Sequence, residues 1–155
     1  MLNIRRYQSS DSDIVWKLHN DAMVPTGAHL GNDSWYDDVL HIDEVYLQNG
    51  GEYLVGEYDG QVVAMGGLKR TTAERAEVKR MRVAPEYQRH GFGQAMLEAI
   101  EQRAKELGYA TLHLDTGVTM LAAQGLYRKN GYQEVSRGTI AEVEVIFFEK
   151  RINQG

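Results

Sequence analysis

The chain has 155 residues, with 17 Lys+Arg against 22 Asp+Glu, a net charge of −5 and no cysteine. That length suits one domain over residues 1–155 with its own buried core, and the lack of cysteine excludes disulfides, thiolate metal or iron–sulfur sites and a cysteine nucleophile. No apolar run approaches the roughly 20 residues of a membrane span, and Met1-Leu2-Asn3-Ile4-Arg5-Arg6 has no apolar leader core, so a cytoplasmic protein without a membrane partner is expected.

In chain order, residues 2–7 alternate as a first strand. Ser10-Asp11-Ser12-Asp13 offers a helix cap with an acid three residues on, and Ile14, Leu18 and Ala22 follow at helical spacing. Pro25 and Gly27 stop that helix and begin a loop over residues 24–33. Ser34 with Asp37 is a second cap signal. Trp35, Tyr36, Val39, Tyr46 and Leu47 continue it as one amphipathic helix, which Gly50-Gly51 ends. Residues 52–58 and 61–68 are β-type runs joined by Asp59-Gly60, a hairpin signal, and residues 76–83 form a third run stopped by Pro85.

Over residues 91–108 the period changes. Met96, Leu97, Ile100, Ala104 and Leu107 make one apolar stripe, with Glu98, Glu101, Lys105 and Glu106 opposite and Gly108 as the stop. Residues 111–114 read as a short strand, parallel to the one before, and residues 120–129 as a helix ended by Asn130-Gly131. Two last strands lie near residues 132–135 and 140–149. The expected order is β-α-α-β-β-β-α-β-α-β-β, a mixed α/β fold.

Charge is unevenly spread. Between Lys69 and His90 seven basic residues (Lys69, Arg70, Arg75, Lys79, Arg80, Arg82, Arg89) face three acids (Glu74, Glu77, Glu86), a surplus of four, which leaves −9 for the rest of the chain. Nucleic-acid binding wants a broad basic face, so no nucleic-acid partner is expected. The local surplus fits either one small polyanionic ligand or a solvated strand face.

Within that window Gln88-Arg89-His90-Gly91-Phe92-Gly93-Gln94 stands between a strand and a long helix. Glycines allow close backbone approach, and the unpaired N–H groups of a helix N-terminus favour an anion such as pyrophosphate; the alternative is a plain turn. A Walker loop would need Gly-Lys-Ser/Thr. A dinucleotide fingerprint would need a third glycine where Met96 stands, and a turn immediately after its strand; here seven residues separate Val83 from Gly91.

Residues 76–94 followed by residues 122–131 resemble the Gcn5-related N-acetyltransferase superfamily. Its Q/R-x-x-G-x-G/A pattern is matched by Gln88-Arg89-His90-Gly91-Phe92-Gly93. Its Ala-x-x-Leu-Tyr-x-x-x-Gly-Phe segment reads here Ala123-Gln124-Gly125-Leu126-Tyr127-Arg128-Lys129-Asn130-Gly131-Tyr132. The order of elements matches along nearly the whole chain. The resemblance implies acetyl-CoA as co-substrate, with the backbone of Met81, Arg82 and Val83 meeting the pantetheine arm and Gln88 to Gln94 cradling the pyrophosphate. It also implies a sheet that splays between the strand ending at Val83 and the strand ending near Leu114. Many members carry Asn seven residues before the Tyr; here Met120 stands there.

The activity so implied is acetyl transfer to a primary amine of a small molecule or peptide, with no metal and no covalent enzyme intermediate; the fold also allows a homodimer. The rival reading is an acyl-CoA-binding sensor without turnover. An alkyl amine must lose a proton before it attacks, and the oxyanion and the departing thiolate must be stabilised. Glu77 falls where some members place a general base; it reads equally as a strand carboxylate paired with Arg80 or a cross-strand base. The oxyanion donor would be a backbone N–H near Met81. Tyr127 is the candidate acid for the thiolate, or a packing residue of an apolar helix face. His19, His29, His41, His90 and His113 show no metal spacing, while His113 and Asp115 alternate along the cleft strand, set to touch substrate or to pair structurally. Acceptor specificity is expected on residues 24–35 and 136–140. Asp33, Asp37, Asp38, Asp43 and Glu44, on that first loop and the second helix, favour a cationic amine.

Overall fold

The computed structural model describes residues 1–23 and 37–153. The loop over residues 24–33, the Ser34 cap and the helix start at Trp35 and Tyr36 lie outside them. The chain forms β1 (Asn3–Arg6), α1 (Ser12–Met23), α2 (Asp37–Leu40), α3 (Ile42–Val45), β2 (Glu52–Tyr58), β3 (Gln61–Arg70), β4 (Arg75–Val83), α4 (Phe92–Glu106), β5 (Thr111–Gly117), α5 (Leu121–Lys129), β6 (Gln133–Ile140) and β7 (Val143–Arg151). The expected order and fold class are observed.

Two strands run further than expected, β5 to Gly117 and β6 to Ile140, so that residues 136–140 are strand, and one helix is divided. The single helix expected to end near residue 48 is broken into α2, α3 and a last short turn at Leu47–Asn49. His41, between α2 and α3, has φ −136° and ψ 47°, outside the helical region, and no side-chain cap starts α3. Apolar spacing continues across the break because Val39, Ile42 and Tyr46 are all buried. Periodicity therefore reads as one helix where the backbone makes two.

The seven strands lie in the order β1-β2-β3-β4-β5-β7-β6. All neighbours are antiparallel except β4 and β5. The Asp59-Gly60 hairpin forms as expected, with φ of 53° and 75° at the two turn residues. Both faces of the sheet are covered. On one side α4 and α5 bury Met96, Leu97, Ile100, Ala104 and Tyr127 against Leu54, Leu68, Ala76, Val78, Leu112 and Leu114. On the other, α1 to α3 bury Val15, Leu18, Val39, Ile42 and Tyr46 against Tyr53, Val55, Val63 and Met65. Side chains of β4 therefore alternate between the two layers, and the α4 layer takes Ala76 and Val78.

Ion pairs tie the layers to the sheet edges. Glu52, with its side chain 3% exposed, holds Arg6 and Arg103 at 2.8 Å each. Arg5 bridges Asp11 and Glu57. Lys150 pairs with Glu101, which also accepts the Tyr132 hydroxyl at 2.8 Å. No helix among the described residues is long and apolar enough to cross a membrane.

Candidate active site

Parallel β4 and β5 share register over three pairs only, Arg75 with Thr111, Ala76 with Leu112 and Glu77 with His113. Beyond that they part and run separately to Val83 and Gly117. β5 stays paired along its whole length with β7, from Thr111–Arg151 to Gly117–Val145, so the break in pairing is confined to the β4 side. A gap between two parallel strands leaves backbone groups of both open to a ligand.

On the β4 side the gap leads to the N-terminus of α4. The first helical bond there runs from the Ala95 N–H to the Gly91 carbonyl, 3.1 Å. The N–H groups of Phe92, Gly93 and Gln94 precede it, and no side chain caps them. Gly91 has φ 79°, and a Cβ built on it would meet nothing within 4 Å. Arg89, two residues earlier, is also left-handed at φ 68°. The chain so folded turns three donors and the positive end of a 15-residue helix toward open space beside Val83 and Leu126.

The side chains of this segment are mostly spent on holding its shape. Gln88 donates to the Val83 carbonyl at 3.3 Å, closing the loop onto the end of β4. His90 Nδ1 lies 3.0 Å from the carbonyls of Tyr87 and Gln88, and its ring stacks on buried Phe92 at 5.6 Å. Gln94 and Asn130 exchange two bonds of 2.8 and 2.7 Å, tying the start of α4 to the end of α5. Arg89 is exposed and makes no hydrogen bond or ion pair among the described residues. The anion-binding capacity of the loop therefore lies in its backbone and in Arg89.

Of the other basic residues in the charged window, Arg75 and Arg80 form ion pairs with acids among the described residues. Arg75 pairs with Glu149 at 2.8 Å. Arg80 pairs with Asp38 at 2.6 Å. The second pair corrects two readings. Arg80 is turned to Asp38 rather than to Glu77, and Asp38 is a partly buried, paired acid, its side chain 13% exposed, rather than part of a solvent-facing acidic surface. Burial opposes its charge, but the Arg80 guanidinium and the Tyr46 hydroxyl hold its carboxyl down at about 2. Asp43 and Glu44 are exposed as expected; Asp33 and the Asp37 side chain lie outside the described residues.

Glu77, half-buried, has no hydrogen bond or ion pair among the described residues. Its neighbour across the register is His113, bonded to the Thr71 hydroxyl at 2.7 Å. Burial, then the Arg75 charge, lowers the His113 pKa and so favours its neutral ring. Asp115, two residues on, is open to solvent at the lip of the gap. Even so, the protein crowded round its carboxyl, and then the Glu77 charge, push its pKa up. Glu77 and Asp115 thus present two mutually repelling carboxylates on the strand face away from α4, with Lys79 beside them.

Tyr127, on α5, is 6% exposed. Its ring meets Tyr132 edge-on at 5.6 Å and Phe148 at 6.3 Å. Its hydroxyl has no partner among the described residues. Burial pushes the phenol up to about 12; Arg82 on β4 pulls it down and Asp115 on β5 pushes it up, so it senses a charge from each lip of the gap. Met120 packs its sulfur 3.5 Å from where a Cβ at Gly117 would lie. Gln124 donates to the Gly117 and Val118 carbonyls at 2.9 and 3.0 Å. Sequence reading gave Gln124 no part, took Asn130 only as a helix stop and read Asp38 only as surface charge; a polar side chain on or beside a short helix carries no signal of a partner distant in the chain.

The sequence matches the family model described as Acetyltransferase (GNAT) family over residues 13–132. The chain belongs to this family. Among its relatives is an IAA acetyltransferase of Azospirillum brasilense, 37% identical over 83 residues, 53% of this chain and 54% of that protein. The chain spans about half the length of the curated relatives it matches. A GNAT-family acetyltransferase of Staphylococcus aureus Mu50 has the same fold, with a TM-score of 0.90 at 21% identity, over 99% of this chain and all of that one. So has a GNAT-family acetyltransferase of Elizabethkingia anophelis solved with acetyl-CoA bound, with a TM-score of 0.72 at 19% identity over 97% of each chain.

Proposed function

We propose that the protein is an N-acetyltransferase that moves the acetyl group of acetyl-CoA directly to a primary amine of a small molecule or peptide. The observation that carries this reading is the parting of β4 from β5 immediately after the Glu77–His113 pair. It opens a slot with the uncapped α4 N-terminus beside one lip and the Tyr127 phenol sensing charges from both. Membership of the GNAT family supports it.

The co-substrate supplies an activated thioester. The residues fit it. The N–H groups of Phe92, Gly93 and Gln94, with Arg89, take the pyrophosphate. The backbone of Met81, Arg82 and Val83 runs beside the gap, where an extended pantetheine arm can bond as a further strand does. A thioester carbonyl is already electrophilic, so this chemistry needs no metal. Glu77 receives the proton of the incoming ammonium; Asp115 adds negative charge that draws the cation in. The backbone N–H at Met81 donates to the carbonyl oxygen as negative charge builds on it. As the C–N bond forms and the C–S bond breaks, Tyr127, protonated throughout the neutral range, gives its proton to the departing thiolate, and the second proton of the attacking nitrogen, passed through solvent, restores the phenol.

The test is turnover with a panel of amines, following release of free CoA thiol alongside calorimetric binding of acetyl-CoA. Binding with thiol release that depends on the amine supports the reading. Binding with no release on any amine class would turn the protein into an acyl-CoA sensor.

A further inference from the structure

Arg80 occupies a backbone conformation that suits glycine. Its φ is 58°, inside a strand. It falls where the β3–β4 register slips: Met65 stands opposite Arg82 and Gly67 opposite Lys79, so Arg80 and Met81 share the single facing residue Gly66. This is a β-bulge with an arginine in the left-handed position. The two side chains leave on opposite faces. Met81 packs on the α4 layer, with its sulfur 2.7 Å from where a Cβ at Gly66 would lie. Arg80 turns to the other layer.

There Arg80 is gripped at two nitrogens. Its Nε donates to Asp38 Oδ2 at 2.9 Å and its Nη2 to Oδ1 at 2.6 Å. The Tyr46 hydroxyl donates to the same carboxylate at 2.5 Å. The side chains of Arg80 and Asp38 are only 12% and 13% exposed. A planar fork on a carboxylate fixes direction as well as charge. The depressed Asp38 pKa is in keeping with a charge held fully ionised. The bulge stands next to Met81, Arg82 and Val83, at the start of the segment that borders the gap.

We propose that Asp38 is a positioning residue: its two-point grip on Arg80 holds β4 in the left-handed bulge and so aims the Met81 backbone into the gap between β4 and β5. Released, an arginine at this φ relaxes toward ordinary extended backbone, which removes the bulge and rotates the peptide that follows. A glycine at position 80 needs no grip. The effect on turnover rests on the acetyl-transfer reading; the effect on the backbone does not.

The experiment compares the wild-type chain with Asp38→Asn, Arg80→Lys and the double variant Asp38→Asn with Arg80→Gly. The readouts are the backbone amide resonances of residues 80–83 without any ligand, and kcat and KM with acetyl-CoA. Asp38→Asn moves the Met81 resonance and lowers kcat by ~10²-fold, the cost of misplacing a reacting group by about 1 Å, with a smaller change in KM. Arg80→Lys, which keeps the charge but loses the fork, does the same, and serves alone if Asp38→Asn does not fold. In the double variant both readouts return toward wild type. A Met81 resonance unmoved by Asp38→Asn or Arg80→Lys, or one not restored by glycine, overturns the proposal. Resonances that move and return in a chain that acetylates no amine uphold the backbone role and overturn only the acetyl-transfer reading.

Discussion

Replacing Tyr127 by Phe removes one oxygen and nothing else, and the structure gives that change an asymmetric effect. The hydroxyl has no hydrogen-bond partner among the described residues, so its loss leaves no orphaned group, and the ring contacts to Tyr132 and Phe148 at 5.6 and 6.3 Å persist. Stability should stay within ~0.5 kcal/mol of wild type. Tyr127→Ala, by contrast, empties a site 6% exposed and should cost roughly 3–5 kcal/mol. Activity should behave oppositely. A phenol at about 12 is always protonated at working pH but is a weaker acid than a free one. The loss in kcat on Tyr127→Phe should therefore lie near the lower end of the range for general acids, ~10²-fold. Thermal denaturation, calorimetry with acetyl-CoA and thiol-release kinetics on the same preparation separate these effects. Unchanged melting and binding with reduced kcat is the expected pattern. Full turnover would reduce Tyr127 to packing, and lost binding would mean that it holds the co-substrate.

Gly91→Val forces a β-branched residue to φ 79°, where no neighbour lies within 4 Å of the new Cβ; strain rather than collision should re-set the loop and weaken CoA binding about tenfold by calorimetry, with loss of ~1–2 kcal/mol in stability. Asp38, held down at about 2 by Arg80, adds stability above its unfolded pKa that is lost as pH falls from about 4 through about 2. Urea unfolding should therefore show the wild type losing on the order of 2 kcal/mol more than Asp38→Asn over that interval, and equal losses would contradict the ion pair. For a cationic acceptor, kcat/KM should fall as salt is raised, through screening of Glu77 and Asp115; a flat dependence, or preference for polycarboxylate amines, would exclude an acidic acceptor face.

The parts of the fold legible in sequence are those whose signals are local. The Asp59-Gly60 turn, the stripe through Met96, Ile100 and Ala104 and the Gly91 loop before it each carry their own pattern within a few residues, and each forms where expected. The break at His41 has no such signal, because Val39, Ile42 and Tyr46 keep a helical spacing across it. The bulge at Arg80 escaped for a different reason: nothing in Lys79-Arg80-Met81 announces a left-handed residue, and what holds it comes from Asp38, 42 positions away. The same holds for Asp38 itself. Read along the chain it is one more acid near Asp37 and Asp43; in the structure it is removed from the surface charge. For the anion loop the pattern located the site, while the division of labour within it depends on contacts that only folding brings together. His90 and Gln94 belong to the segment expected to cradle the pyrophosphate, yet their side chains are occupied in bracing the turn.

The measurement that bears most directly on the account is acetyl transfer itself. The purified chain is incubated with acetyl-CoA and amines spanning polyamines, N-terminal peptides, lysine peptides and amino acids, and both products are followed, CoA as free thiol and the acetylated amine by mass. The account predicts stoichiometric formation of both with at least one cationic amine, slowed in Gly91→Val through weaker binding and in Tyr127→Phe through kcat. Thiol release without an acetylated amine, or tight CoA binding with neither product on every amine class, would contradict it.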